Sequence, residues 1–132
     1  MSVTKTPRKE SVAVFVDVSA GDSLLYTVVV KGVRPEFTLT DSGVGSLLLS
    51  NNDPPTSTSP LTFTRKWPQG NDTVLGVSNH TLGMDFVGAP MTYTYKVELK
   101  HSNGSSELVN DIDFQSNDPT DQTFQGLGVN TD

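Results

Sequence analysis

No cysteine occurs in the 132 residues. Disulfides, thiolate metal sites and cysteine nucleophiles are therefore excluded, and the absence suits a reducing compartment. Helical periodicity is missing as well. No window of about 11 residues repeats its apolar positions at the spacing of an amphipathic helix. Long hydrophobic runs are also missing. Leu24–Val30 is the most apolar stretch, Thr27 interrupts it, and it is far too short to span a bilayer. Lys5, Arg8 and Lys9 are followed by no apolar run of signal-peptide length, so a cytoplasmic protein without membrane insertion is expected. Basic charge is scarce: 9 Lys and Arg stand against 15 Asp and Glu, for a net charge of −6. From residue 101 onward there is no Lys or Arg at all. A phosphate backbone needs a basic stripe, so a nucleic-acid partner is excluded.

What is present is alternation. In Met91–Lys100 every odd position is apolar or aromatic and every even one is Thr, Lys or Glu. A period of two puts Met91, Tyr93, Tyr95, Val97 and Leu99 on one buried face of a strand. Asn103-Gly104 then supplies the positive φ angles of a tight turn, and Glu107–Phe114 is expected to return as the second strand of a hairpin. Further strands are read at residues 11–18, 24–31, 36–40, 46–50, 61–67, 73–78, 82–87 and 123–129, the last as an edge. In the first of these, Val12, Val14, Val16 and Val18 share one face and Phe15 lies on the other. The proline-rich stretch 51–60 reads as a loop. Strands and turns recurring every 8–12 residues indicate an all-β chain, a single antiparallel β-sandwich of about eight to nine strands. One domain is expected over residues 11–132, after a flexible polar tail at 1–10 and with the last few residues mobile.

The stretch 90–114, with Tyr-Thr-Tyr-Lys-Val-Glu-Leu-Lys followed by Ser-Asn-Gly, resembles the penultimate strand and last hairpin of bacterial immunoglobulin-like sandwiches. The resemblance implies that a tyrosine near the start of that strand, Tyr93 ahead of Tyr95, ties down the preceding corner through its hydroxyl. It implies a fold and no activity. The turns Asn52-Asp53-Pro54 and Asn117-Asp118-Pro119 also resemble those of the DP-EP family of small bacterial proteins, which implies another sandwich of unknown role.

Three kinds of site have candidate residues in the sequence. Asp111, Asp113, Asp118 and Asp121, with Asn110 and Asn117 beside them, offer the hard oxygen donors that Ca²⁺ takes. Asp111 and Asp113 project to the same side of a strand, and the Asn-Asp-Pro turn is expected to bring the other two near. The alternative for this cluster is a solvated acidic edge that deters pairing. A carbohydrate platform needs exposed aromatics beside polar groups, for which Trp67 and Tyr26 are candidates. Gly21-Asp22-Ser23-Leu24 resembles the nucleophile block of a family of serine hydrolases. The acid–base block is missing here, and His80 and His101 both read as solvated loop residues. The sequence thus favours a non-catalytic protein with no cofactor, working through protein–protein contact or as a homo-oligomer, with the face bearing Phe15 meeting another subunit. A calcium- or carbohydrate-binding module is the alternative, and a small serine hydrolase the next.

Overall fold

The computed structural model describes residues 3–8 and 13–131. Among them the backbone forms strands and turns and no helix. The strands are β1 (Thr4–Pro7), β2 (Phe15–Asp17), β3 (Ser23–Lys31), β4 (Glu36–Asp41), β5 (Ser46–Ser50), β6 (Ser57–Thr58), β7 (Leu61–Trp67), β8 (Val77–Asp85), β9 (Met91–Lys100), β10 (Ser106–Ser116) and β11 (Gln122–Asn130). They build a six-stranded sheet, β1-β10-β9-β3-β7-β6, and a five-stranded one, β2-β11-β8-β4-β5. Every pairing is antiparallel except β2 with β11.

The alternation read in β9 holds residue by residue: its odd positions are buried and its even ones half-exposed. Tyr93, Tyr95 and Val97 stand opposite Val30, Val28 and Tyr26 of β3, and Tyr93 and Tyr95 stand opposite Phe114 and Ile112 of β10. The facing sheet contributes Phe37, Leu39, Leu82, Met84, Leu127 and Val129, all within one hydrophobic cluster that draws on both sheets. Aromatic edges interlock across it, with Phe37 meeting Phe63 at 5.1 Å and Tyr93 at 6.2 Å between ring centroids. Each such side chain removed from water is worth about 1.5–3 kcal/mol before the entropy of ordering is counted. A two-sheet, sandwich-like fold with one core follows.

Several boundaries differ from the sequence reading. Thr4–Pro7, expected in a flexible tail, is strand β1 along the edge of β10. Of the strand read at 11–18, Ser11 and Val12 lie outside the described residues and only Phe15–Asp17 is strand. Val14 does not share the buried face with Val16 and Val18: it is 68% exposed. The strands expected at 73–78 and 82–87 are replaced by one continuous strand, β8, which leaves 73–76 and 86–87 outside it and whose inner positions Ser78, His80, Leu82 and Met84 are all buried. Two polar residues on that inner face hid its period. Gln122–Asn130 is no edge, since it is paired on both sides, by β8 and by β2. The loop 51–60 carries the two-residue strand β6. These changes give eleven strands among the described residues, where eight to nine were expected.

Candidate functional site

The four aspartates divide into two pairs with separate tasks. A register shift after Leu108 in β10 leaves Asn110 buried and puts Asp111 and Asp113 on the outer face. There the guanidinium of Arg8 donates to Asp111 Oδ1 at 2.6 and 3.0 Å and lies 3.8 Å from Asp113. Asp113 also accepts from the Thr94 hydroxyl at 2.8 Å. Asp118 and Asp121 instead shape the turn after β10. Asp118 accepts from the Thr120 amide and hydroxyl, which hold its carboxyl below the usual range, and Asp121 accepts from the Ser116 hydroxyl. Among the described residues no three His, Asp or Glu side chains converge as a metal site. The expected convergence of the four aspartates on one cation is therefore not what the fold builds. An arginine far away in sequence fills the space between the first pair.

The Gly21-Asp22-Ser23-Leu24 block is a turn entering β3, and Ser23 is buried. Asp22 accepts from the Ser102 amide at 3.0 Å and lies 2.9 Å from His101 Nδ1. His101 Nε2 is in turn 2.5 Å from Glu107. The imidazole is thus clasped between two carboxylates and joins the turn before β3 to the β9–β10 hairpin. Glu107 and then Asp22 raise its pKa, and the bond from His101 lowers that of Asp22. No bond joins His101 to Ser23, so the geometry is not that of an activated nucleophile.

His80 is not a loop residue. It projects from β8 into the core, fully buried. Its Nδ1 is 2.5 Å from the Tyr26 hydroxyl, and its Nε2 is 3.5 Å from Asp41 Oδ2. The Ser78 hydroxyl donates to Asp41, and Trp67 packs edge-on against the imidazole at 4.5 Å. Burial pushes the Tyr26 phenol well above its usual pKa, so the phenol donates and Nδ1 accepts. Burial also pulls His80 down, with Asp41 opposing, so the ring is held toward its neutral form. Ser78, Asp41, His80 and Tyr26 make a polar thread across the core whose members are all under one-tenth exposed. It links β4 and β8 of one sheet to β3 of the other. Trp67 and Tyr26, the two aromatics considered as a sugar platform, are 1% and 0% exposed and cannot serve as one.

The exposed aromatics are elsewhere. Phe15 and Phe124 are 70% and 65% exposed, and both stand on the outer face of the five-stranded sheet. In β11 the period of two puts Phe124, Gly126 and Gly128 on that face while Leu127 and Val129 point inward. Phe124 leans over Gly83 of β8, where a Cβ would meet its ring at 3.0 Å. Phe15 leans over Gly128, where a Cβ would meet its ring at 2.4 Å. The glycines are needed because any side chain there would displace the rings. Beside Phe124 is a shallow trough of about 210 Å³, edged by Glu36, Thr38, Asp85 and Gln122. Its far wall is anchored from below. The Tyr93 hydroxyl donates to the Asp85 carbonyl at 2.7 Å and accepts from the Glu36 amide at 2.9 Å. Burial pushes that hydroxyl up to about 12, so it stays a donor at ordinary pH. A second, more apolar cavity of about 320 Å³ opens at the end of the fold, between Val18, Asp22, Trp67, Pro68 and Val74. The sequence held the signal for the aromatic face, in the spacing Phe124-x-Gly126-x-Gly128, but glycine in a strand reads first as weakness. A scan of protein-family models and comparisons with curated proteins and with solved structures all give no match.

Proposed function

We propose that this chain is a non-catalytic binding module whose contact surface is the outer face of the five-stranded sheet. One observation carries the reading. Two phenylalanines stand in solvent on one side of one sheet, each seated over a glycine that makes room for it. A non-catalytic role is supported by the burial of Ser23 and by the engagement of His101 with two carboxylates. The immunoglobulin-like assignment of the sandwich belongs to the same reading. Its support is Tyr93, whose hydroxyl ties the start of β9 back to the end of β8, as that resemblance implies. The test is retention. Wild-type protein and the double variant Phe15→Ser with Phe124→Ser are fixed to a surface and exposed to protein and polysaccharide fractions of the cells that make it. Retention by the wild type and release by the variant locate the contact face. Equal retention by both refutes it.

A second reading is self-association through one end of this face, where Val14, Phe15 and Val77 are all exposed. Light scattering at tens of micromolar tests it. An associated wild type that Phe15→Lys returns to monomer supports it, and a monomeric wild type removes it.

A further inference from the structure

We propose that the trough beside Phe124 binds an uncharged glycan chain, which continues along β11 toward Phe15. The proposal rests on the contact face described above and names the chemistry of its occupant.

Charge is the first ground. None of the strands β2, β4, β5, β8 and β11 carries Lys or Arg, whereas Asp17, Glu36 and Asp85 stand on their outer positions. Such a sheet repels phosphates, sulfates and uronates, so nucleic acids, anionic lipid surfaces and acidic polysaccharides do not fit it.

The mixture of surfaces is the second ground. A protein partner calls for a contiguous apolar centre on a patch of about 800 Å². Here Phe124 is set apart from the exposed Val14, Phe15 and Val77 at the other end of the face. Phe124 stands opposite Gly83 and Phe15 opposite Gly128, four residues apart on β11, which is about 13 Å along the strand. Between them the outer positions are Gly126, Thr81 and Asn79, with Thr38 and Thr40 on the next strand. Rings set apart on a floor of hydroxyls and amides match a sugar chain. Its C–H faces stack on aromatics, and its hydroxyls bond to amides, carboxylates and other hydroxyls.

The third ground is the trough itself. Glu36, Asp85 and Gln122 line up across neighbouring strands in one row, and Thr38, Gly83 and Phe124 in the next. A sugar ring on Phe124 therefore faces a neighbouring row of two carboxylates and an amide. Tyr93 bonds the main chain of Glu36 and Asp85 from beneath, so the backbone that carries the two carboxylates is fixed before the ligand arrives.

The experiment is affinity electrophoresis of the whole chain in native gels. The neutral polymers are laminarin, xyloglucan, galactomannan and soluble starch, and the anionic ones polygalacturonate and heparin. At least one neutral polymer should slow the wild type, and neither anionic one should. Phe124→Ala should weaken binding about tenfold, the scale of one lost stacking contact. Gln122→Ala, an exposed change that leaves the rings in place, should weaken it severalfold and serves as the second variant if Phe124→Ala is misfolded. The proposal is overturned if no neutral polymer slows the wild type. It is overturned equally if the anionic polymers slow it as much, or if both variants migrate as the wild type does. If glycans fail while protein fractions are still held by the wild type and lost from the double phenylalanine variant, the glycan falls and the contact face stands.

Discussion

Tyr93→Phe removes a single oxygen and tests how the β4–β8 corner is held. The ring stays, with its edge contacts to Phe86 at 5.2 Å and Phe37 at 6.2 Å, so packing is preserved. Three contacts go: the bond donated to the Asp85 carbonyl at 2.7 Å, the one accepted from the Glu36 amide at 2.9 Å, and a longer, weaker approach to the Glu36 carbonyl at 3.3 Å that shares the same hydroxyl proton. A net hydrogen bond is worth about 1 kcal/mol, and more where the stranded partner stays buried. Both partners are half-buried or exposed residues at strand ends, so water recovers part of the loss. A total of about 2 kcal/mol follows. An unfolding entropy of about 2.1 cal/mol/K per residue over 132 residues gives about 280 cal/mol/K, and hence a fall in Tm of about 7 °C. Differential scanning calorimetry measures it, and hydrogen exchange should show faster exchange at the Glu36 amide. A fall below about 2 °C with unchanged exchange would show that the hydroxyl is not what secures this corner.

Two further outcomes are expected. The two histidines give stability opposite slopes about pH 6.5. His101 has a raised pKa in the fold, so its contribution is complete below the unfolded value and is lost as pH rises through the folded one. His80 has a lowered pKa, so stability falls as pH drops below the unfolded value toward the folded one. Urea titrations of His101→Gln should lose the alkaline decline and keep the acid one, and a variant that keeps both would contradict the clasp. Calcium is expected to act only as an ionic-strength agent. With Arg8 seated between Asp111 and Asp113, millimolar Ca²⁺ and Mg²⁺ should shift Tm alike and no more than NaCl of equal ionic strength. A calcium-specific rise of several degrees, erased by Asp111→Asn with Asp113→Asn, would reverse that conclusion.

The central hairpin was legible because its chemistry is local. In Met91–Lys100 each residue type matches the face it occupies, so period and burial agree. β8 is not legible because its inner face carries Ser78, which bonds Asp41, and His80, whose Nδ1 bonds Tyr26, both partners on other strands. A polar residue bonded across the core cannot be told from a solvated one by pattern. The acidic cluster failed for a related reason: Arg8 and Asp111 are 103 positions apart, and no spacing rule connects them. The same-side projection of Asp111 and Asp113 was correct, and what lay above them was not foreseen. Phe15 was picked out by its alternation. Phe124 does not stand out in the sequence, because the glycine that receives its ring, Gly83, is 41 positions away on another strand.

The pairings of β1 and β2 set an order on how the molecule is finished. β1 pairs with β10 in one sheet and β2 with β11 in the other, so among the described residues the two earliest strands complete opposite sheets against the two latest. Neither can dock until its partner has left the ribosome. While the intervening strands emerge, the edges of β10 and β11 do not yet exist and the opening segment must wait unpaired. Closing a loop of this length costs chain entropy that only late contacts return. The acidic surface of β10, where Arg8 settles on Asp111, is therefore among the last parts to be assembled. Without β10 and β11, neither β1 nor β2 has the strand it pairs with.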